Sequence, residues 1–204
     1  LISYVALKEY YPKNKNIKNI LWFFYPNDMS DLNKEIHNEV LGKYLSDPFF
    51  KQNLKNDNNL QKQIYLDYVY KRYEVSKLSF LRLNNLKNFF SNIKNQKENF
   101  ANEKNLTTLK KIIHMSSEID IKAKFYFIYL PSYEVFFGKN YDPENKRKIL
   151  KIVNELKIPI IDMEESFRKL ENQKDLFSLH KNINHYSKKG YNLVANEIIN
   201  QLNN

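Results

Sequence analysis

The first long apolar run of this chain reads Asn19-Ile20-Leu21-Trp22-Phe23-Phe24-Tyr25. A short, continuous apolar run bounded by turn residues is typical of a strand that is buried on both faces, as in a parallel sheet. Two similar runs follow at residues 123 to 130 and 158 to 162. Because helical patterns separate the three runs, the sequence predicts an α/β fold with a mainly parallel sheet.

Helical periodicity surrounds these predicted strands. An amphipathic pattern over residues 2 to 11 stops at Pro12, and Ser30 or Asp31 can cap a helix over about 33 to 45. Further helices are predicted at residues 76 to 97, 103 to 118, 142 to 157 and 187 to 202, the last of them capped by Ser187. Residues 46 to 100 are predicted to form a partly helical insertion within a single domain, 1–204.

Length and composition exclude several classes of protein. The 204 residues suffice for one ordinary globular domain, and the absence of cysteine excludes disulfide scaffolds and thiolate metal sites. The longest apolar runs are about six residues, whereas a membrane-spanning helix needs roughly 20. The net charge of +10 suggests nucleic acid, but only four of the 33 basic residues are arginine, the residue favoured for contacts with phosphates and bases. We therefore expect a solvated basic surface and no nucleic-acid partner.

Polar residues follow each predicted strand, where ligands bind in open α/β sheets. The three strands are followed by Tyr25-Pro26-Asn27-Asp28, Pro131-Ser132-Tyr133-Glu134 and Asp162-Met163-Glu164. A fourth polar segment, residues 175 to 190, precedes the last helix and contains His185. An Asn in a strand-end turn can donate a hydrogen bond to an oxyanion, and a His ahead of a helix can act as a general base. Asn27 and His185 are therefore the candidate site residues.

Two of these segments resemble sequence blocks of the SGNH (GDSL-type) hydrolase family. Residues 17 to 32 are similar to the third block, a buried strand ending in Gly-x-Asn-Asp, with Tyr25 in place of the glycine. Residues 182 to 198 resemble the fifth block, whose pattern is matched by His185, Gly190, Leu193 and Ala195. The resemblance implies a three-layer α/β/α sandwich of the flavodoxin-like type, with the amino-terminal strands missing.

The resemblance also implies roles for particular residues. Asn27 would donate to the oxyanion, and His185 would take the proton of a serine nucleophile. Asn182 stands where the family has its acid, and a neutral amide can orient an imidazole but cannot stabilise imidazolium as a carboxylate does. Asp175 could replace that acid if its loop folds back toward His185.

The nucleophile motif of the family, Gly-Asp-Ser, does not occur in the chain, whose three glycines are Gly42, Gly138 and Gly190. We therefore expect the carboxyl-terminal part of a longer SGNH-type ester hydrolase or O-acyl transferase, acting on an ester or an acylated carbohydrate. The 204 residues alone are predicted to be inactive, and such enzymes need no metal or organic cofactor. Membrane anchoring would come only from residues upstream of Leu1, and the sequence indicates no compartment. The alternative is a catalytically degenerate domain that binds carbohydrate or a protein partner.

The main candidate residues can also be explained by structural roles that involve no catalysis. The Asn27-Asp28 pair can form a turn that caps the next helix, and His185 can be an ordinary loop histidine. No family position corresponds to His180, so we expect it to be structural or exposed.

Two further histidines and an aromatic segment are also candidates for a functional role. His37 and His114 lie in helical patterns whose neighbours offer no set of metal ligands, so no metal site is predicted. Tyr133, Phe136 and Phe137 either line a substrate cleft or simply cover the sheet.

Overall fold

The computed structural model describes residues 1–12, 15–55, 66, 102–138, 141–178 and 185–203. In this part of the chain, three parallel strands form one sheet in the order β1 (Asn19–Phe24), β2 (Lys124–Tyr129) and β3 (Ile160–Asp162). The register places Phe24 beside Tyr129. The predicted α/β fold with a parallel sheet is confirmed.

Eight α-helices accompany the sheet in the described residues. Four precede β2, namely α1 (Ile2–Tyr10), α2 (Asp28–Glu35), α3 (Glu39–Ser46) and α4 (Glu103–Ser117). Four follow it, namely α5 (Tyr133–Phe137), α6 (Pro143–Glu155), α7 (Met163–Arg168) and α8 (Lys188–Asn203), with a 3-10 helix, Gln173–Leu176, between the last two. The helices predicted at residues 2 to 11, 103 to 118, 142 to 157 and 187 to 202 are confirmed as α1, α4, α6 and α8.

Short polar side chains fix where these helices begin. The Asn102 side chain accepts a hydrogen bond from the Asn105 amide at 2.8 Å, and Asp142 accepts one from Glu144 at 2.9 Å. The Gly190 amide donates to Ser187 Oγ at 3.2 Å, so Ser187 caps α8 as predicted. Each cap satisfies an amide that would have no partner within its own helix.

The helix predicted over residues 33 to 45 is wrong, because the chain forms two helices there. α2 already begins at Asp28, and neither Ser30 nor Asp31 is its cap. The break comes at Asn38, whose backbone is extended (φ −82°, ψ 123°) and whose side chain accepts from the amides of Val40 and Leu41. An Asn that bonds the amides ahead of it starts a new helix, and the apolar spacing does not reveal this.

Hydrophobic clusters lie on both faces of the sheet, because successive strand residues point to opposite sides. In β2, Phe125, Phe127 and Tyr129 join the first cluster, which also receives side chains from α1, α2, α4 and α6. Tyr126 and Ile128 join the second cluster, which is covered by α7 and α8. β1 is an edge strand in this sheet, and its Phe23 is 47% exposed.

Part of the predicted insertion, including the helix at residues 76 to 97, lies outside the described residues. Among the helices that are described, none is both long and apolar enough to span a lipid bilayer.

Candidate functional site

The carboxyl end of β1 carries Asn27 in an exposed turn. Asn27 is the residue before α2, with a helical backbone (φ −70°, ψ −15°), and its side chain makes no capping hydrogen bond. Only its carbonyl is used locally, as the acceptor for the Asp31 amide at 3.1 Å. Asn27 therefore does not cap α2 through its side chain, and within the described residues its side-chain amide has no hydrogen-bond partner.

The turn is instead closed by the neighbouring carboxylate. Asp28 Oδ2 accepts the Tyr25 amide at 2.9 Å, while the Asp28 amide donates to the Tyr25 carbonyl at 2.8 Å. Burial raises the pKa of Asp28 to about 6; the hydrogen bond from Tyr25 opposes this shift, and the nearby Asp31 carboxylate adds to it. Asp28 thus fixes the backbone that presents Asn27.

His185 lies in the segment that leads into α8. It is exposed, and its carbonyl accepts the Ser178 amide at 2.9 Å. Tyr186 forms an antiparallel bridge with Phe177, and two residues after His185 the Ser187 amide donates to the Leu176 carbonyl at 2.8 Å. The backbone from His185 to Ser187 is therefore held in place.

Tyr186 anchors this segment to the ends of β1 and β2. Its buried hydroxyl donates to the Pro131 carbonyl at 2.6 Å, and burial raises the pKa of its phenol, so the donor stays protonated at neutral pH. Its ring packs edge-on against Tyr25, with centroids 6.4 Å apart. Tyr25 is two residues before Asn27, and Tyr186 directly follows His185. The structure thus brings together the two segments that carry the predicted site residues.

The acid that would assist His185 is not found in the described residues. The Asp175 carboxylate is hydrogen-bonded to Asn172 at 2.9 Å and paired with Lys189 at 3.1 Å. Asp175 therefore stabilises the start of α8, and within the described residues its carboxylate makes no hydrogen bond with His185. Asn182 and His180 lie outside the described residues.

The aromatic segment after β2 partly covers the sheet and is partly exposed. Phe136 stacks on Phe167 in the second hydrophobic cluster, with centroids 6.1 Å apart, so it covers the sheet. Tyr133 is 38% exposed and packs edge-on against Phe177 at 5.4 Å. Phe137 lies against Tyr133 at 4.6 Å. Tyr133 and Phe137 form a partly accessible aromatic surface beside the Pro131 end of β2.

His37 and His114 each lie close to a residue four positions away in the sequence. His37 Nδ1 lies 2.7 Å from the Asn33 carbonyl, and His114 Nε2 lies 3.6 Å from Glu118. A search of the described residues finds no group of three or more His, Asp or Glu side chains that could hold a metal ion.

A charged cluster at the end of β3 was not singled out from the sequence. Lys146 Nζ lies 2.6 Å from Asp162 and 2.8 Å from Glu164, which also accepts from Arg168 at 2.6 Å. Burial favours the neutral forms, but the hydrogen bonds outweigh it, raising the pKa of Lys146 and lowering that of Glu164. The charges compensate one another, so this cluster holds α6 and α7 against β3. Lys146 lies far in sequence from Asp162 and Glu164, so only the pair of Glu164 and Arg168, four residues apart on α7, gives a local signal.

Comparison with protein-family models, with curated proteins and with solved structures finds no match for this chain.

Proposed function

We propose that this chain carries the oxyanion donor and the general base of an SGNH-type site for ester hydrolysis or O-acyl transfer. The observation that supports it is the contact between Tyr25 and Tyr186, which joins the turn of Asn27 to the segment of His185. The sheet would be part of a three-layer α/β/α sandwich. Helices on both faces and three adjacent parallel strands are compatible with that architecture.

The chemistry follows from the two side chains. A serine outside residues 1–204 attacks the ester carbonyl carbon while His185 takes the hydroxyl proton. The carbonyl oxygen becomes an oxyanion and accepts a hydrogen bond from the Asn27 side-chain amide. When the tetrahedral intermediate collapses, the leaving alcohol takes the proton from His185. Water or a sugar hydroxyl then attacks the carbonyl carbon of the acyl-serine while His185 takes its proton. The bond to the serine oxygen breaks, His185 returns the proton to that oxygen, and the acyl group leaves as a carboxylic acid or as a sugar ester.

An acylated carbohydrate is the proposed substrate class. Tyr133 and Tyr191 are 38% and 56% exposed, and Tyr191 lies against Tyr186 with ring centroids 5.6 Å apart. Aromatic rings with one accessible face offer the flat apolar surface on which a sugar ring can rest. The acyl group would then reach toward Asn27 and His185.

NMR titration of the 204-residue chain tests this proposal. We expect a per-O-acetylated methyl glucoside to shift the side-chain amide signals of Asn27 and the ring signals of His185, whereas unacetylated methyl glucoside does not. Asn27→Ala and His185→Ala should each weaken binding, with His114→Ala as the matched control on α4. Shifts absent from both residues would refute the assignment.

A hydrolysis assay tests whether the nucleophile lies within these 204 residues. With p-nitrophenyl acetate, we expect the wild-type chain to react no faster than His185→Ala or His114→Ala. A rate that His185→Ala abolishes and His114→Ala retains would mean that a serine within these 204 residues is the nucleophile.

The alternative is a degenerate domain that binds carbohydrate or a protein without catalysis. It is favoured by the carboxylate of Asp175, which is bound by Lys189 and Asn172, so that His185 has no acidic partner among the described residues. Equal binding of the acetylated and unacetylated glucosides, insensitive to Asn27→Ala, would support this alternative.

A further inference from the structure

The outer edge of β1 presents backbone groups that lack partners among the described residues. Within the parallel pair, the carbonyls of Lys18 and Phe24 accept from β2, so even-numbered residues of β1 bond to β2. Odd-numbered residues therefore direct their amides and carbonyls outward. Those of Tyr25 are taken by Asp28, whereas those of Leu21 and Phe23 have no partner in the described part of the chain.

Apolar side chains accompany this edge. Phe23 is 47% exposed, and Leu21 and Trp22 are half-buried, although the run reads as a strand buried on both faces. A flat apolar edge without charged residues at its centre is a surface on which another strand can pair.

We propose that the edge of β1 pairs antiparallel with β1 of a second copy of this chain, about a two-fold axis at Trp22. This interface uses the side of β1 and not its carboxyl end, so its test does not involve the proposed site residues Asn27 and His185. Leu21 of each copy then lies opposite Phe23 of the other, and each pair exchanges two backbone hydrogen bonds. The outward groups of Leu21 and Phe23 are thereby satisfied, and the ladder ends at Tyr25, whose backbone groups Asp28 already occupies.

The same register also places apolar side chains of the two copies beside each other. On one face, Leu21 and Phe23 of the two copies form a single apolar cluster, and on the other face the two Trp22 side chains are direct cross-strand neighbours. An isologous contact of this kind closes as a dimer and leaves no further edge of β1 exposed.

Charge complementarity favours a second copy as the occupant. In this register Lys18 faces Pro26 of the other copy, next to Asp28. Lys18 lies on the Trp22 and Phe24 face of the strand, and Asp28 shares a cavity of about 80 Å³ with the same two aromatic residues. Neither Lys18 nor Asp28 has an ion-pair partner within the described residues. The two-fold axis therefore brings Lys18 of each copy toward Asp28 of the other copy.

Sedimentation velocity of the 204-residue chain measures the association. Two short strands bury less than the roughly 1,600 Å² of a standard interface, so we expect a dimer with a dissociation constant of about 10–100 µM. Phe23→Lys should raise that constant at least about tenfold by burying a charge at the centre of the edge. Phe49→Lys, at a residue that is 91% exposed after α3, should leave it unchanged. A monomer at all concentrations, or equal effects of the two variants, would overturn the proposal.

A charge reversal separates the proposed register from general electrostatics. Lys18→Glu and Lys111→Glu, on α4, both lower the net charge of +10 by two, which reduces repulsion between copies. General repulsion predicts tighter association in both variants. The proposed register predicts weaker association for Lys18→Glu and not for Lys111→Glu. If the two substitutions change the dissociation constant in the same direction and to a similar extent, the proposed register is refuted.

Covalent trapping tests the two-fold axis itself. The chain contains no cysteine, so Trp22→Cys introduces one thiol per copy. Facing residues of a non-hydrogen-bonded antiparallel pair lie about 4.5 Å apart at Cα, within the range of a disulfide. We expect mild oxidation to give a disulfide-linked dimer of Trp22→Cys and none of Phe49→Cys. Failure of Trp22→Cys to cross-link while its circular dichroism remains that of the wild type would exclude this register.

Discussion

The ring of Tyr25, directly after β1, packs edge-on against the ring of Tyr186, directly after His185, with centroids 6.4 Å apart and planes at 71°. These residues are far apart in the sequence. The Tyr25 backbone amide donates to the Asp28 carboxylate, and the Tyr186 hydroxyl donates to the Pro131 carbonyl. An edge-on aromatic contact of this kind adds about 0.5–1.5 kcal/mol beyond the area that it buries. It therefore fixes the distance between the turn of Asn27 and the segment that enters α8.

The first prediction concerns the separation of Asn27 and His185. Because one tetrahedral intermediate must touch both side chains, we expect them to lie within roughly 10 Å of each other. In the cysteine-free chain, the double variant Asn27→Cys/His185→Cys should be cross-linked internally by a short bismaleimide, as measured by mass spectrometry of the intact protein and its digest. The pair Asn27→Cys/His114→Cys serves as the control, and equal cross-linking of both pairs would contradict the prediction.

The strands were predictable because their signal is local. The run from Ile20 to Phe24 is apolar enough to be read as a strand without knowledge of its neighbours, and β1 ends within one residue of the predicted end. Asn27 and His185 could also be found as polar residues next to predicted elements. Their joint placement depends on Tyr25 and Tyr186, whose contact across the sheet edge leaves no pattern along the chain.

The short elements were missed for related reasons. α7 begins directly after β3, with the Asp162 side chain accepting the Glu164 amide at 3.0 Å, so strand and helix have no intervening turn to mark the boundary. α5 has only five residues, too few for helical periodicity to be recognised. Asn38 divides α2 from α3 through two side-chain bonds, although the apolar spacing runs through it.

The second prediction concerns the two glycines that lie in helices. At Gly190 an added β-carbon would overlap the Leu176 carbonyl, because α8 crosses the 3-10 helix closely there. Gly190→Ala should therefore destabilise the protein by about 1–3 kcal/mol through overpacking. At Gly42, in α3, nothing lies within 4 Å of an added β-carbon, so Gly42→Ala should stabilise by roughly 0.5–1 kcal/mol. Urea unfolding measures both, and a change of the same sign in the two variants would contradict this account.

The third prediction concerns the charged cluster at the end of β3. The Lys146 side chain is 15% exposed and holds both Asp162 and Glu164, whose carboxylates would lose that partner in Lys146→Met. We expect a loss of about 2–4 kcal/mol in the free energy of unfolding, because removing one member of a buried ion pair leaves uncompensated charge. Lys110→Met is the control, since Lys110 meets Glu155 at 2.6 Å with both side chains 43% exposed, and it should cost under about 1 kcal/mol. Thermal unfolding of the two variants at pH 7 measures both losses of stability. Equal losses would show that the cluster contributes no more to stability than an exposed ion pair.

The fourth prediction concerns pH and Asp28. Burial raises the folded-state pKa of Asp28 from 3.8 to about 6, so the folded protein holds this proton more tightly than the unfolded chain does. The resulting stabilisation is fully present below about pH 4 and is lost as the pH rises through 6.

The variant Asp28→Asn tests this pH dependence. Its side chain cannot ionise, and its amide oxygen can still accept the Tyr25 amide. We therefore expect it to be more stable than the wild type at pH 8 by on the order of 1–2 kcal/mol, and nearly equal to it at pH 4. Urea unfolding at both pH values measures the difference, with Glu39→Gln, at an exposed carboxylate in the first turn of α3, as the control. A difference between Asp28→Asn and the wild type that does not change from pH 4 to pH 8 would mean that Asp28 ionises as freely in the folded protein as in the unfolded chain.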